Sequence, residues 1–255
     1  MNFSDIKKIP FFKNHIFEHV IETGSTNDNI KAKTKKSDFI HCLQLADFQT
    51  AGRGQYNRKW VSEKSGESLM FSFSAELPCD SFPASLIGGI AMSVALRGLS
   101  VNCKNLWLKW PNDLWYKNGK LGGILTESSI IDGKILCVIG IGINISAIND
   151  KSLNTSCVNE FAPEITKEIL LKAFCEEWDK IIYYDSVALS KLWRDYGGIF
   201  WQNVFMVIVG NEEKFTAKPT AINSDGSLNV TSDSTTRRLV SASLQPILPC
   251  SLDAS

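Results

Sequence analysis

The sequence has no excess of charge of either sign: Lys plus Arg and Asp plus Glu stand at 27 each. No field of one sign is therefore available to draw in nucleic acid or an anionic membrane, and any anion must be captured locally. No apolar run approaches the roughly 18 residues that a membrane span needs. The amino terminus, Met1-Asn-Phe-Ser-Asp-Ile-Lys-Lys, interleaves charges with its apolar positions and offers no small-residue cleavage site, so a signal peptide is not expected. Cysteine pairing is missing too. The seven cysteines, Cys42, Cys79, Cys103, Cys137, Cys157, Cys175 and Cys250, are odd in number and contain no C-x-x-C pair. They are expected to be reduced core residues of a cytoplasmic protein, not a disulfide framework or a zinc site. Histidine is scarce: His15, His19 and His41 lie early and far apart, and neither catalysis nor metal binding is expected of them. There is no internal repeat and no low-complexity segment.

What is present is the composition of a soluble globular protein, with 44% hydrophobic and 21% charged residues. A chain of 255 residues can hold one large core, or a core domain and a small module. Weak alternation over 17–22 predicts a strand, and His41 to Phe48 predicts another. Between them Thr23-Gly-Ser-Thr-Asn-Asp28 has the short polar side chains that cap helix N-termini. Phe71 and Phe73 alternate with serines after Ser65-Gly66-Glu67, again a strand. From Phe82 to Leu99 apolar residues recur at helical spacing around Gly88-Gly89, which predicts a buried helix. The turn Asp132-Gly133 leads into Lys134 to Asn144, a central apolar strand whose Gly140 and Gly142 mark a close approach by a ligand or another backbone. Pro163 to Asp185 carries one apolar stripe, Ile165, Ile169, Leu170, Phe174, Trp178, Ile181 and Ile182, and predicts an amphipathic helix. After Gly197-Gly198 short β-rich runs follow at close intervals, with Asp225-Gly226 as a turn. This is the rhythm of a small antiparallel barrel, and it sets one expected boundary: domains 1–198 and 199–255.

Two stretches carry the chemistry. Lys109-Trp-Pro-Asn-Asp113, then Asn118-Gly119, then Lys120-Leu-Gly-Gly-Ile-Leu125 predicts a β-hairpin, because Asn-Gly suits a type I′ turn. Asp113 there could hold Mg²⁺, Lys120 could meet a phosphate or carboxylate, and Gly122-Gly123 could admit a ligand to the backbone. A plain surface hairpin with solvated charges fits the same residues equally well. The second stretch, Gln49-Thr-Ala-Gly-Arg53-Gly54-Gln55-Tyr-Asn-Arg58-Lys-Trp60, is a cationic glycine loop able to close over an anion beside an aromatic face. Taken alone it reads more readily as an ordinary mobile loop.

Read in order, Ser25-Thr26-Asn27, the Gly-Arg-Gly loop ending at Trp60, Lys-Trp-Pro-Asn-Asp, Lys-Leu-Gly-Gly-Ile-Leu and Gly140-Ile-Gly-Ile-Asn144 resemble the biotin protein ligases. The resemblance runs from about Phe17 to Leu248. It implies an α+β fold, a mixed, largely antiparallel sheet flanked by helices of the class II aminoacyl-tRNA-synthetase and biotin-ligase type, with a carboxyl-terminal SH3-like barrel. It implies that biotin and ATP form biotinyl-AMP and that biotin passes to a lysine of a biotin carboxyl carrier domain, that of acetyl-CoA carboxylase first among them. By the same resemblance Ser25, Thr26 and Gln49 hold the ureido head, and Asn27, Gly122 and Gly123 also belong to the biotin site. Arg53, Gly54 and Gln55 close over carboxylate and phosphate. Trp60 stacks on adenine, Arg58, Asn112, Asp113 and Asn144 serve ATP and its Mg²⁺, and Lys120 bridges the two reacting anions. Lys120 and Arg53 are the implied catalytic pair.

Rival expectations are a lipoate or octanoate ligase of the same fold, a non-catalytic biotin-binding module, and a protein of unrelated function. With the first family strand at Phe17 and no net charge, specific DNA binding is not expected, nor is a membrane partner. Monomer and homodimer both fit. One departure from the family stands out: some members have arginine where this chain has Gln55, and Arg and Gly where it has Tyr56 and Asn57. Gln55 brings hydrogen bonds without charge. In a quenched-flow comparison the native chain is therefore expected to lose biotinyl-adenylate faster than a Gln55→Arg variant; equal or slower loss refutes the weaker grip.

Overall fold

The computed structural model describes residues 2–34, 39–61, 67–78, 80–131, 134–148, 154–210 and 213–247. Cys79, Cys250, Ser65-Gly66 and the Asp132-Gly133 turn lie outside them. The chain runs β1 (Ile16–Thr23), α1 (Thr26–Thr34), β2 (Cys42–Gln49), β3 (Ser68–Pro78) and α2 (Ala84–Leu99). Then come β4 (Leu106–Lys109), β5 (Asp113–Tyr116), β6 (Gly119–Ile131), β7 (Lys134–Asn144), α3 (Lys167–Ile181) and α4 (Ser186–Gly197). The carboxyl-terminal part adds β8 (Phe205–Val209), β9 (Glu213–Ile222), β10 (Leu228–Ser232), β11 (Thr235–Leu239) and β12 (Ser243–Pro246).

The first seven strands form one mixed sheet in the order β1-β2-β3-β7-β6-β5-β4. Only the β1–β2 pair is parallel. A strand turns successive side chains to opposite faces, and the three central strands use this to make two unlike surfaces. Ser72, Gly140 and Leu125 lie in register on one face, with Gly142 opposite Gly123 beside them. On the other face Phe71, Ile141 and Ile124 lie in register, followed by Phe73 and Ile139. That apolar face is covered by α2 and α3: Phe71 meets Phe174 at 5.3 Å between ring centroids, and Phe73 meets Trp178 at 4.9 Å. Gly88 in α2 lets the helix settle on Ile124, whose carbons lie 3.4 Å from where a Cβ would sit. Helix α1 lies on the glycine and serine face.

The last five strands form an antiparallel sheet in the order β11-β10-β9-β8-β12. It is fastened to the first sheet, since the Trp110 indole N–H donates to the Gly226 carbonyl at 2.9 Å. Among the described residues no helix is long and apolar enough to cross a membrane.

Several expectations shift. The hairpin turn sits one residue early, at Lys117-Asn118, with Lys117 at φ +49° and Gly119 already in the strand. Gly119 is needed for contact instead: a Cβ there would lie 2.4 Å from Ser156 Oγ. The amphipathic helix begins only at Lys167, capped by Thr166, so Ile165 precedes it, Ile182 follows it, and Ile169 is exposed. Helix α4 was not anticipated, although Leu189 and Trp193 are spaced for one buried stripe and Asp185 caps it by accepting from the Ala188 N–H at 2.7 Å. Strand β12 was missed as well. The close approach at Gly140 and Gly142 is made by side chains of α1 and the glycine loop. Cys42, Cys103, Cys137, Cys157 and Cys175 are free and buried, and burial pushes the Cys42 and Cys137 thiols up to about 11.

The histidines are not all apart: the rings of His15 and His41 stand 5.2 Å from each other, and His19 pairs with Asp47 at 3.0 Å. His15 is buried with its Nε2 at 2.9 Å from the Ser74 carbonyl. Burial pushes its pKa from 6.5 down to about 4. The folded state thus favours neutral His15, so its contribution to stability is whole above pH 6.5 and is lost as pH falls towards 4. His15→Phe is expected to flatten this part of the pH–stability curve, measured as urea midpoints at neutral and acid pH; an unchanged acid slope would refute it.

Candidate functional site

Strands β4, β5 and β6 build the charged centre. Lys109 and Asp113 are cross-strand neighbours in the tight β4–β5 turn, and Asp113 is paired in turn with Gly123 of β6. Simple alternation would put Lys120 on the opposite face from Asp113. A register shift between Leu114 and Trp115 prevents that, because Lys120 comes to lie opposite Trp115. A bulge of this kind re-aims a side chain. Here it delivers Lys120 Nζ to Asp113 Oδ1 at 2.7 Å, while Lys109 Nζ holds Oδ2 at 2.7 Å. Burial by itself would raise the Asp113 carboxyl, but the two ammonium groups outweigh it and hold it well below the usual carboxylate range. Burial presses Lys109 down, against the pull of Asp113. Lys109 is almost wholly enclosed, whereas Lys120 is 35% exposed. Two cations and one anion leave a net positive charge, and the accessible end of it is Lys120.

The centre opens into a cavity of about 310 Å³ on the glycine face of the large sheet. One end is polar. Gln49 Oε1 accepts from the Thr26 N–H at 2.7 Å, Thr26 Oγ1 meets Ser72 Oγ at 2.6 Å, and Ser72 Oγ donates to Asn27 Oδ1 at 2.6 Å. Ser25 immediately precedes α1, its Oγ 3.4 Å from the Asp28 N–H. Gly140 makes room for Asn27, since a Cβ there would lie 2.2 Å from Oδ1.

The other end is aromatic. The glycine loop is closed by Gly54 N–H to the Arg58 carbonyl at 2.7 Å and Trp60 N–H to the Gly52 carbonyl at 2.9 Å. This turns the Trp60 indole back over Gly142, where a Cβ would lie 2.6 Å from Cζ2. Asn144 Nδ2 donates to the Ser156 carbonyl at 3.1 Å and to the Lys120 carbonyl at 3.3 Å. Asn112 Nδ2 donates to the Ile124 carbonyl at 2.9 Å and fixes the floor.

Of the site residues that the resemblance implies, all but one line this cavity. Gly122 points to the opposite face, packed against Ile143, whose Cδ1 lies 2.4 Å from the place of a Cβ, and does not line the cavity. Arg53 stands at the rim, its guanidinium ion-paired with Asp28 and 3.7 Å from Glu127. Lys109, Ser72, Thr155 and the segment Ala242-Ser-Leu244 also line the cavity and carried no expectation of a role. Lys109 could have been read from its place four residues before Asp113; Ala242 to Leu244 had no local signal.

Magnesium was expected at Asp113. Both of its oxygens are taken by lysines, and among the described residues no three His, Cys, Asp or Glu side chains gather to hold a metal. The residues present do not fit a magnesium ion held by the protein alone.

Residues 19–144 match the model of the biotin/lipoate A/B protein ligase family. The match spans just under half of the chain. It is 31% identical over 150 residues to Biotin--protein ligase 2 of Arabidopsis thaliana, covering 53% of this chain and 43% of that one. It is 30% identical over 135 residues to the Biotin--[acetyl-CoA-carboxylase] ligase of Mycobacterium tuberculosis, covering 50% and 48%. The chain thus spans somewhat less than half the length of these curated relatives. In fold it is similar to a biotin protein ligase from Aquifex aeolicus solved in complex with biotin and ATP, with a TM-score of 0.69 at 24% identity over 92% of this chain and all of that one. A Helicobacter pylori biotin acetyl coenzyme A carboxylase synthetase with bound biotinylated ATP matches with a TM-score of 0.63 at 23% identity, over 88% and 100%.

The seat of Trp60 on Gly142 can be tested directly. Gly142→Ala must displace the indole from the sheet, and overpacking of this kind costs about 1–3 kcal/mol. An unchanged urea midpoint would contradict the packing.

Proposed function

We propose that the chain is a biotin protein ligase, which condenses biotin with ATP to biotinyl-5′-AMP and passes biotin to a lysine of a biotin carboxyl carrier domain. The observation that carries this is the half-exposed Lys120, paired with a buried carboxylate whose charge Lys109 also offsets, between a polar and an aromatic end of one cavity. The polar end, with Thr26, Asn27, Gln49 and Ser72, suits a ureido ring better than the alkyl chain of lipoate or octanoate. The indole of Trp60 offers a face for adenine. In the family match, the Lys-Leu-Gly-Gly-Ile-Leu and Gly-Arg-Gly segments fall within the matched residues.

In the first step a biotin carboxylate oxygen attacks the α-phosphorus of ATP and the bond to pyrophosphate breaks. Two anions must meet, so a cation fixed between them lowers the repulsion and stabilises the charge that builds on the phosphoryl oxygens. Lys120 occupies that place. Asp113 orients it, and Lys109 prevents Asp113 from cancelling its charge. Arg53 leaves its partners at the rim to close over the adenylate. In the second step the neutral amine of the acceptor lysine attacks the acyl carbon, AMP departs, and the amine gives up a proton. Magnesium enters this account only as the partner of the ATP phosphates. In the same reading residues 1–198 form the catalytic unit and residues 199–255 a small SH3-like unit, and the acceptor domain of acetyl-CoA carboxylase is the first to try.

The test is pyrophosphate release from the purified chain with Mg-ATP and biotin, lipoate or octanoate, with and without a carrier domain. Release with biotin alone and label on the carrier lysine are the expected result. Activity with lipoate or octanoate only would move the assignment within the family, and tight biotin binding without release would make the chain a binding module. Lys120→Ala is expected to lose about a hundredfold in the adenylation rate, the scale of a lost charge-stabilising donor; a full rate would remove Lys120 from the mechanism.

A further inference from the structure

The glycine loop is held from outside its own sheet. Tyr56 lies in the left-handed region at φ 56° and ψ 35°, a conformation that a residue with a Cβ adopts at a cost of about 1–2 kcal/mol. Such a conformation persists where its surroundings fix it. Two contacts do so. The Tyr56 hydroxyl meets Ser241 Oγ at 3.1 Å, and the Arg58 guanidinium donates to Ser243 Oγ at 3.0 Å. Arg58 also lies over the Tyr56 ring, 5.9 Å from its centroid, so the two side chains dock as a unit. The serines are two apart in the segment entering β12, while Ala242 and Leu244 between and beyond them are buried, which anchors the segment to the core. Ala242, Ser243 and Leu244 themselves line the cavity.

We propose that Ser241 and Ser243 are positioning residues: the carboxyl-terminal sheet clamps the glycine loop through Tyr56 and Arg58, and so sets the nucleotide end of the site. The proposal rests on the ATP-binding reading above. It assigns the small sheet a part in the reaction without giving it a reacting group. The clamp acts through Trp60, which follows Arg58 by two residues and is fixed on Gly142 only while the loop is closed. Binding of ATP should therefore feel the clamp, and the chemistry at Lys120 should not.

The experiment compares the native chain with Ser241→Ala/Ser243→Ala in steady-state pyrophosphate release and in limited trypsin digestion, which can cut after Arg53, Arg58 and Lys59. Two net hydrogen bonds are together worth about a tenfold change. The ATP KM is expected to rise about tenfold with kcat within about twofold, and loop cleavage to accelerate by a similar factor. Ser241→Thr, which keeps the hydroxyl, should digest at the native rate, and Tyr56→Phe should digest faster. An unchanged ATP KM overturns the proposal whether or not cleavage accelerates, and so does an equal loss in kcat. If the double variant has a lowered melting temperature, Tyr56→Phe, which removes one exposed hydroxyl, carries the same comparison. If the native chain releases no pyrophosphate with biotin, the ligase reading fails; the digestion rates of the same variants then decide the clamp separately, and native-rate cleavage overturns it.

Discussion

A buried carboxylate between two ammonium groups is the interaction on which the site depends. Removing Asp113, Lys109 and Lys120 from water is costly, and a buried ion pair contributes little net stability unless its geometry is nearly ideal. The chain meets that condition by placing Lys109 and Asp113 as direct cross-strand neighbours and by bulging β6 to bring Lys120 round to the same face. The arrangement leaves one positive charge pointing into a cavity of a protein with no net charge. The sheet order around it, with β6 and β7 paired along nearly their whole length, is what holds the three groups within hydrogen-bond distance.

The division of the large sheet into an apolar and a small-residue face follows from the same strands. Phenylalanines and isoleucines seal one side against α2 and α3. Glycines and a serine keep the other side shallow, and the depth is taken up by Asn27 from α1 and by the Trp60 ring from the loop. A glycine at 140 or 142 is thus a statement about which side chain lies above it. Gly122, one residue from the site-facing Gly123, belongs to the helix side and shows how strictly alternation sorts neighbours.

Around this rigid floor the charged rim is distributed among several partners. Glu127 accepts from Lys31 and from Asn27 and stands near Arg53, which is also bound to Asp28. The arginine implied to close over an anion is therefore already engaged with carboxylates, and an incoming phosphate must compete with them. The family match covers residues 19–144, whereas the cavity is completed by residues 148, 155 and 242–244 beyond it. Those later positions are where this chain's own properties are to be sought.

Much of the fold was legible locally. The strand from Lys134 to Asn144 and the helix ending at Leu99 were legible from apolar periodicity, whereas the Lys-Trp-Pro-Asn-Asp and Gly-Arg-Gly segments stood out as candidate site material only when read together. Periodicity failed where a different force set the boundary: Thr166 capping started α3 later than its apolar stripe, and contact with Ser156 claimed Gly119 and moved the turn to Lys117-Asn118. The sequence by itself determined which residues were polar, cationic or small enough to serve a ligand. Only the tertiary structure decided which of them face the same cavity, because a single bulge reverses the side of Lys120, a register pairs Gly123 and excludes Gly122, and Ser241 and Ser243 reach the glycine loop only when the two sheets are packed together.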